Sequence, residues 1–223
     1  GGAVAVDGSL TLNQHAGGLS VAAVAAALAM GARVIWMPTA DAVAQRVAGL
    51  PRLSDRHPEL EATAYAIPPV DWSTEAAVRR IVALVAEYDA VLATGHLGAA
   101  EISWLLPVAR TAGVRRLLLT HPSWTIPALT VAETTALTEL GALAEVTAYQ
   151  LLHQPGMDAS ALAAFVRAVG CERIVLSSDG GQPDSPAPPE ALARLVDALI
   201  GQGLDRGAVL ACASETPERL VTR

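Results

Sequence analysis

The 223-residue chain contains no lysine, and all fifteen of its basic residues are arginine. That absence excludes Schiff-base chemistry and a carbamylated lysine from this stretch. Cysteine is almost missing too. Cys171 and Cys212 stand singly in apolar surroundings without CxxC spacing, which speaks against a zinc knuckle or a disulfide framework and implies buried, reduced thiols. Charged residues are only 17% of the chain and sum to −7, so there is no basic face for a phosphate backbone and nucleic acid is not an expected partner. There is no GxxxxGK[ST] loop, which disfavours nucleoside triphosphate chemistry. Long hydrophobic runs are also lacking. The longest Ala/Val stretch, Leu19 to Met30, is too short to span a bilayer and is followed by Gly31 and Arg33. It reads as a buried helix of a soluble, cytoplasmic protein with no membrane partner, and no signal-peptide n-region precedes it.

What is present is hydrophobic residue in quantity, 52% of the chain, enough for a large core. Short β-branched or apolar runs alternate with Ala/Leu-rich helical stretches, the pattern of βα units around a parallel sheet. Six strands are expected, near Ser9 to Asn13, Arg33 to Pro38, Ala90 to Gly95, Arg115 to Thr120, Leu143 to Thr147 and Arg173 to Ser178. Helices are expected near Ser20 to Met30, Thr74 to Glu87, Ala99 to Ala112, Thr130 to Leu140, Met157 to Val169 and Pro188 to Gln202. Ser20, Ser73 and Asp158 are placed as N-caps, and Gly31, Gly113, Gly141 and Gly170 as left-handed helix ends. Thr39 to Trp72 and "GGQPDSPAPPE" break the rhythm and read as long, functional or mobile loops.

The expected fold class is α/β, a TIM-type (β/α)8 barrel, in one domain over residues 1–223. Such a barrel takes ~250 residues, so about six βα units fit here and the first two strands are expected to lie in an N-terminal portion preceding "GGAVAVDGSL".

In parallel α/β folds ligands bind beyond the carboxyl ends of the strands, where strand ends and the following loops converge. The residues ending the six apolar runs are Asn13 and His15 in "LTLNQH", Thr39 in "VIWMPT", His96 in "VLATGH", His121 in "LLLTH", Thr147 and Tyr149 in "AEVTAY" and Asp179 in "IVLSSD". One histidine at a strand end is ordinarily a structural group. Here His96, His121 and Asp179 each terminate a separate strand, and two imidazoles with a carboxylate suit a divalent zinc, manganese or iron. A bound ion would acidify its water, and Asp179 is the expected catalytic residue, taking that water's proton and passing it to the leaving group. Capping of the Gly180 and Gly181 amides is its structural alternative. His15, Asn13, Thr39 and Trp124 are the expected substrate contacts, with structural hydrogen bonding for His15 and loop packing for Trp124 left open. Trp36 reads as core, Glu145 as structural, His57 as solvated and His153 as loop structure.

At these positions the sequence resembles the amidohydrolase superfamily. In that group an HxH pair ends strand one, a histidine ends each of strands five and six, and an aspartate ends strand eight. Counting the six strands as the third to eighth puts His96 fifth, His121 sixth and Asp179 eighth. A closer resemblance, to the DUF6282 family of uncharacterised hydrolase-like proteins, is carried by "LNQHAGGLS", "GARVIWMPT", "LATGHL", "VRRLLLTHP" and "ETPERLV". The resemblance implies a metal-dependent hydrolase whose activated water attacks an amide, cyclic amide, lactone or ester of a small molecule. The chain departs from the pattern in lacking HxH, a carbamate lysine and a glutamate at Thr39, which implies a single ion completed by strands outside it. Two other functions stay open: a non-catalytic barrel serving as a binding or structural module, and a phosphoesterase on a related metal barrel. The residues also leave a homo-oligomer open.

Overall fold

A computed structural model describes residues 6–52, 55, 59 and 62–222; His57 lies outside them. All six expected strands form: β1 (Ser9–Thr11), β2 (Val34–Trp36), β3 (Val91–Ala93), β4 (Arg116–Leu119), β5 (Ala142–Thr147) and β6 (Ile174–Ser177). β1, β2, β3 and β4 pair in that order and β5 pairs with β6, each of these pairings parallel, giving the α/β class and the βα succession of a TIM-type barrel. The helices between and after them are α1 (Val21–Ala29), α2 (Val43–Val47), α3 (Glu75–Glu87), α4 (Ala99–Thr111), α5 (Val131–Glu139), α6 (Ala148–His153), α7 (Ala159–Val169), α8 (Pro188–Gly201), α9 (Arg206–Ala213) and α10 (Glu215–Val221). No helix among the described residues is long and apolar enough to cross a membrane.

The chain folds as two compact units, one up to Leu118 and one from Leu119 to Thr222. In the first, the register pairs Leu10 with Ile35 and Ile35 with Leu92, so one row of side chains crosses three strands. Ile35 and Leu92 are buried, as are Val24 and Leu28 on α1 and Val78, Ile81, Val82 and Val85 on α3, which packs on α1. Each such side chain removed from water contributes about 1.5–3 kcal/mol. Trp36, expected in the core, is only half-buried. It sits one residue past Ile35, and alternation along a strand turns it to the opposite face. In the second unit β5 and β6 pair Glu145 with Val175 and Thr147 with Ser177, while α7 packs on α5 and α8, and α9 and α10 pack on β6.

Ser20 and Asp158 cap α1 and α7 as expected, accepting the Ala23 and Ala161 amides at 3.2 and 2.9 Å. Ser73 does not cap a helix. It lies in a single 3-10 turn that Asp71 caps by accepting its amide at 2.9 Å. Gly31, Gly113, Gly141 and Gly170 all have positive φ at helix ends. Four helices were not expected, α2 and α6 between strands and α9 and α10 after α8. α6 starts at once after β5, because "TAYQ" forms a capping box in which Thr147 Oγ1 accepts the Gln150 amide at 3.2 Å and Gln150 Oε1 accepts the Thr147 amide at 3.0 Å. α2 falls inside the segment read as a loop, whose described far side is tied down by Tyr65 donating its amide to the Asp41 carbonyl and by Glu101 accepting the Ile67 amide, each at 2.8 Å.

Candidate functional site

In the first unit, Asn13 just beyond β1 is buried and its side chain reaches the end of β2. Its Oδ1 accepts the Thr39 amide at 2.9 Å and the Asp41 amide at 3.3 Å, and its Nδ2 donates to Thr39 Oγ1 at 2.8 Å. Asn13 and Thr39, both read from the sequence as substrate contacts, are thus brought together and tie two strand ends to each other. His15 is exposed on the 3-10 turn Gln14–Ala16.

His96 follows Gly95, whose φ is +57. A Cβ there would stand 2.3 Å from the Met37 carbonyl oxygen and 2.6 Å from that of Pro38, so only glycine lets β3 turn against the end of β2. The His96 amide then donates to the Pro38 carbonyl at 2.9 Å. The imidazole is half-buried and its Nδ1 lies 2.9 Å from Gln45 Oε1. Gln45, buried on α2, donates Nε2 to the Pro51 carbonyl at 2.7 Å, which orients its amide and makes Oε1 an acceptor. His96 Nδ1 is therefore the donor in this contact. Nothing in the sequence marks Gln45 for this role, since its helix lies within the segment without period.

In the second unit, His121 ends β4 and is buried, with φ +28. Its Nδ1 donates to the Ile126 carbonyl at 3.2 Å, which places the lone pair on Nε2. Burial pushes its pKa down to about 4, so the ring is neutral at physiological pH. Asp179, two residues past β6, has φ +48. It is exposed at the strand end, yet the protein packed around its carboxyl pushes it up to about 6. Left-handed backbone at a residue other than glycine costs about 1–3 kcal/mol and persists where the surroundings over-determine it, commonly at functional sites.

Glu145 links these two residues. It is buried on β5, its carboxyl accepts Ser177 Oγ at 2.8 Å and the His121 backbone amide, and Asp179 lies close enough to act on its charge. Burial above all, then the Asp179 charge, push Glu145 up to about 7. In the sequence Glu145 reads as structural. The available signal was a carboxylate inside "ALAEVT", where an ionisable side chain in a buried strand needs an explanation.

A chain of rings flanks His121. Trp124, whose amide donates to the His121 carbonyl at 2.8 Å, packs edge-on against the imidazole at 4.7 Å. Tyr149 lies 6.1 Å from Trp124, and His153 lies 4.8 Å from Tyr149. Trp124 is 9% exposed. His153, at the end of α6, makes a 2.8 Å hydrogen bond to Ser185 in the second irregular segment. Burial first, and then the Asp179 and Asp184 charges, raise the Tyr149 phenol.

Among the described residues no group of three or more His, Cys, Asp or Glu is gathered to hold a metal ion. Glu145 accepts the His121 backbone amide and feels the Asp179 charge, while His96 is hydrogen-bonded to Gln45 in the first unit.

Among solved structures the chain is similar to an amidohydrolase from Pseudomonas aeruginosa, with a TM-score of 0.65 and 13% identity over 96% of this chain and 70% of that one. It is similar to an organophosphorus hydrolase from Deinococcus radiodurans, with a TM-score of 0.59 and 13% identity over 92% of this chain and 63% of that one. It is also similar to an amidohydrolase from Burkholderia multivorans with bound zinc, with a TM-score of 0.51 and 17% identity over 86% of this chain and 74% of that one. At such identities the likeness is one of fold, and the chain spans a little under two thirds of the organophosphorus hydrolase. No curated protein matches the sequence. Residues 2–145 match DUF6282, a family of unknown function, and the chain belongs to that family.

Proposed function

We propose that the chain acts as a metal-dependent hydrolase, using an activated water to open an amide, cyclic amide, lactone or other ester of a small molecule. One observation carries this reading. His121 and Asp179 each stand just past a separate strand, each in a left-handed conformation that costs free energy, and both within reach of the buried Glu145. The donor chemistry fits a divalent ion, zinc before manganese or iron. A ligating histidine usually gives its other ring N–H to a protein oxygen, as His121 does to Ile126. Asp179 adds a carboxylate oxygen. His96 likewise donates through Nδ1 and enters the reading through the order of strand-end residues in the sequence alone.

When bound, such an ion lowers the pKa of water to about 7 and polarises a carbonyl or phosphoryl oxygen. Asp179, its carboxyl lifted to about 6, takes a proton from the attacking water and returns it to the leaving atom. Trp124 and Tyr149 give the His121 side an aromatic wall for a small substrate. Asn13, His15 and Thr39 are the substrate contacts proposed for the first unit.

The test is metal analysis of the purified protein with melting before and after chelation. Bound zinc, manganese or iron is expected, with a melting temperature lowered by chelator. His121→Asn and Asp179→Asn should lose both metal and hydrolysis. Absence of metal together with unchanged melting overturns the reading. The likeness to an organophosphorus hydrolase favours phosphotriesters as a second substrate class, and a parallel assay of a lactone and a phosphotriester separates the two.

A further inference from the structure

A buried carboxylate inside an otherwise apolar strand is costly unless its oxygens are satisfied. Glu145 meets that condition with two donors from different parts of the second unit. Ser177, which the register places opposite Thr147, gives its hydroxyl to Oε1 at 2.8 Å from β6. The His121 backbone amide, at the end of β4, gives the other hydrogen bond. His121 is also the residue whose φ is +28, a conformation its side chain disfavours. The same turn sends the His121 carbonyl to the Trp124 amide and His121 Nδ1 to the Ile126 carbonyl. The orientation of the ring and its tautomer therefore hang on a backbone turn that one side chain from a different strand holds.

We propose that Glu145 is a positioning residue: anchored by Ser177, its carboxyl clamps the His121 amide, fixes the left-handed turn, and so aims His121 Nε2. As a statement about catalysis this rests on the hydrolase reading above. As a statement about the His121 turn it does not.

The experiment compares wild type, Glu145→Gln, Glu145→Leu and Ser177→Ala by the long-range 1H–15N spectrum of the imidazoles, which reports tautomer, and by zinc affinity in competition with a chromophoric chelator. Glutamine keeps an acceptor oxygen, so Glu145→Gln should retain the Nδ1–H form of His121. Glu145→Leu should unfold cooperatively, yet give a mixed or shifted His121 ring signal and bind zinc about 10–100-fold more weakly, the range for loss of a partner behind a ligand. An unaltered His121 signal in Glu145→Leu overturns the proposal. If Glu145→Leu does not fold, Ser177→Ala decides: a displaced His121 signal supports the clamp and an unaltered one refutes it. If wild type binds no zinc, the hydrolase reading fails while the ring spectrum still judges the clamp.

Discussion

Replacing Glu145 by glutamine should change how stability depends on pH, and the size of the change follows from the site. In the folded protein the Glu145 carboxyl is pushed from 4.5 up to about 7, chiefly by burial. Between those values the native state holds a proton that the unfolded chain has released, so stability falls as pH rises through the window and the loss is complete above about pH 7. One pKa unit is worth about 1.36 kcal/mol, so the swing from this group approaches about 3 kcal/mol. His121 works in the opposite direction. Its pKa is pushed down to about 4, so its contribution is present above about 6.5 and is lost as pH falls through about 4. Both proteins carry His121, and its effect cancels in their difference. Urea unfolding of wild type and Glu145→Gln at pH 5 and pH 8, with chelator present, should therefore show the variant gaining on wild type by roughly 2–3 kcal/mol at the higher pH. A difference that is the same at both pH values would refute the assignment of a buried, proton-holding Glu145.

Gly95→Ala should destabilise by about 2–4 kcal/mol, because a Cβ meets two backbone carbonyls and the φ of +57 is strained for alanine; an unchanged denaturation midpoint would show that the β2 and β3 ends can separate. Thr130→Ala removes the capping box in which Thr130 Oγ1 accepts the Glu133 amide at 3.2 Å and should cost about 1 kcal/mol in urea unfolding, against the reasoning if nothing is lost. Cys212 is buried, its thiol donates to the Cys171 carbonyl at 3.1 Å, and burial pushes it up to about 12, so iodoacetamide at pH 8 should leave it unmodified in the folded protein; mass spectrometry finding it alkylated as fast as in denatured protein would contradict this.

The sequence by itself determined what depends on neighbours along the chain. Apolar runs of strand length, the helical stretches between them, the Ser20 and Asp158 caps and the glycines at helix ends are local; five strands lie within the ranges expected of them and β5 starts one residue earlier, at Ala142. The order of polar strand ends also marked His96, His121 and Asp179. Local reading failed where a short element interrupts a loop, as with α2, and where a capping box after a strand went unread, as with α6. Tertiary structure alone decided which partner each polar group meets. Gln45 and His96 are 51 residues apart, and Glu145 and Ser177 are 32 apart. Asn13 and Thr39, 26 residues apart, bond to each other rather than standing side by side as separate contacts. Such pairings follow from strand register and helix packing, which bring distant residues within about 3 Å. That is why Glu145 reads in the sequence as an oddity in a buried strand, and in the structure as the group that holds His121 in place.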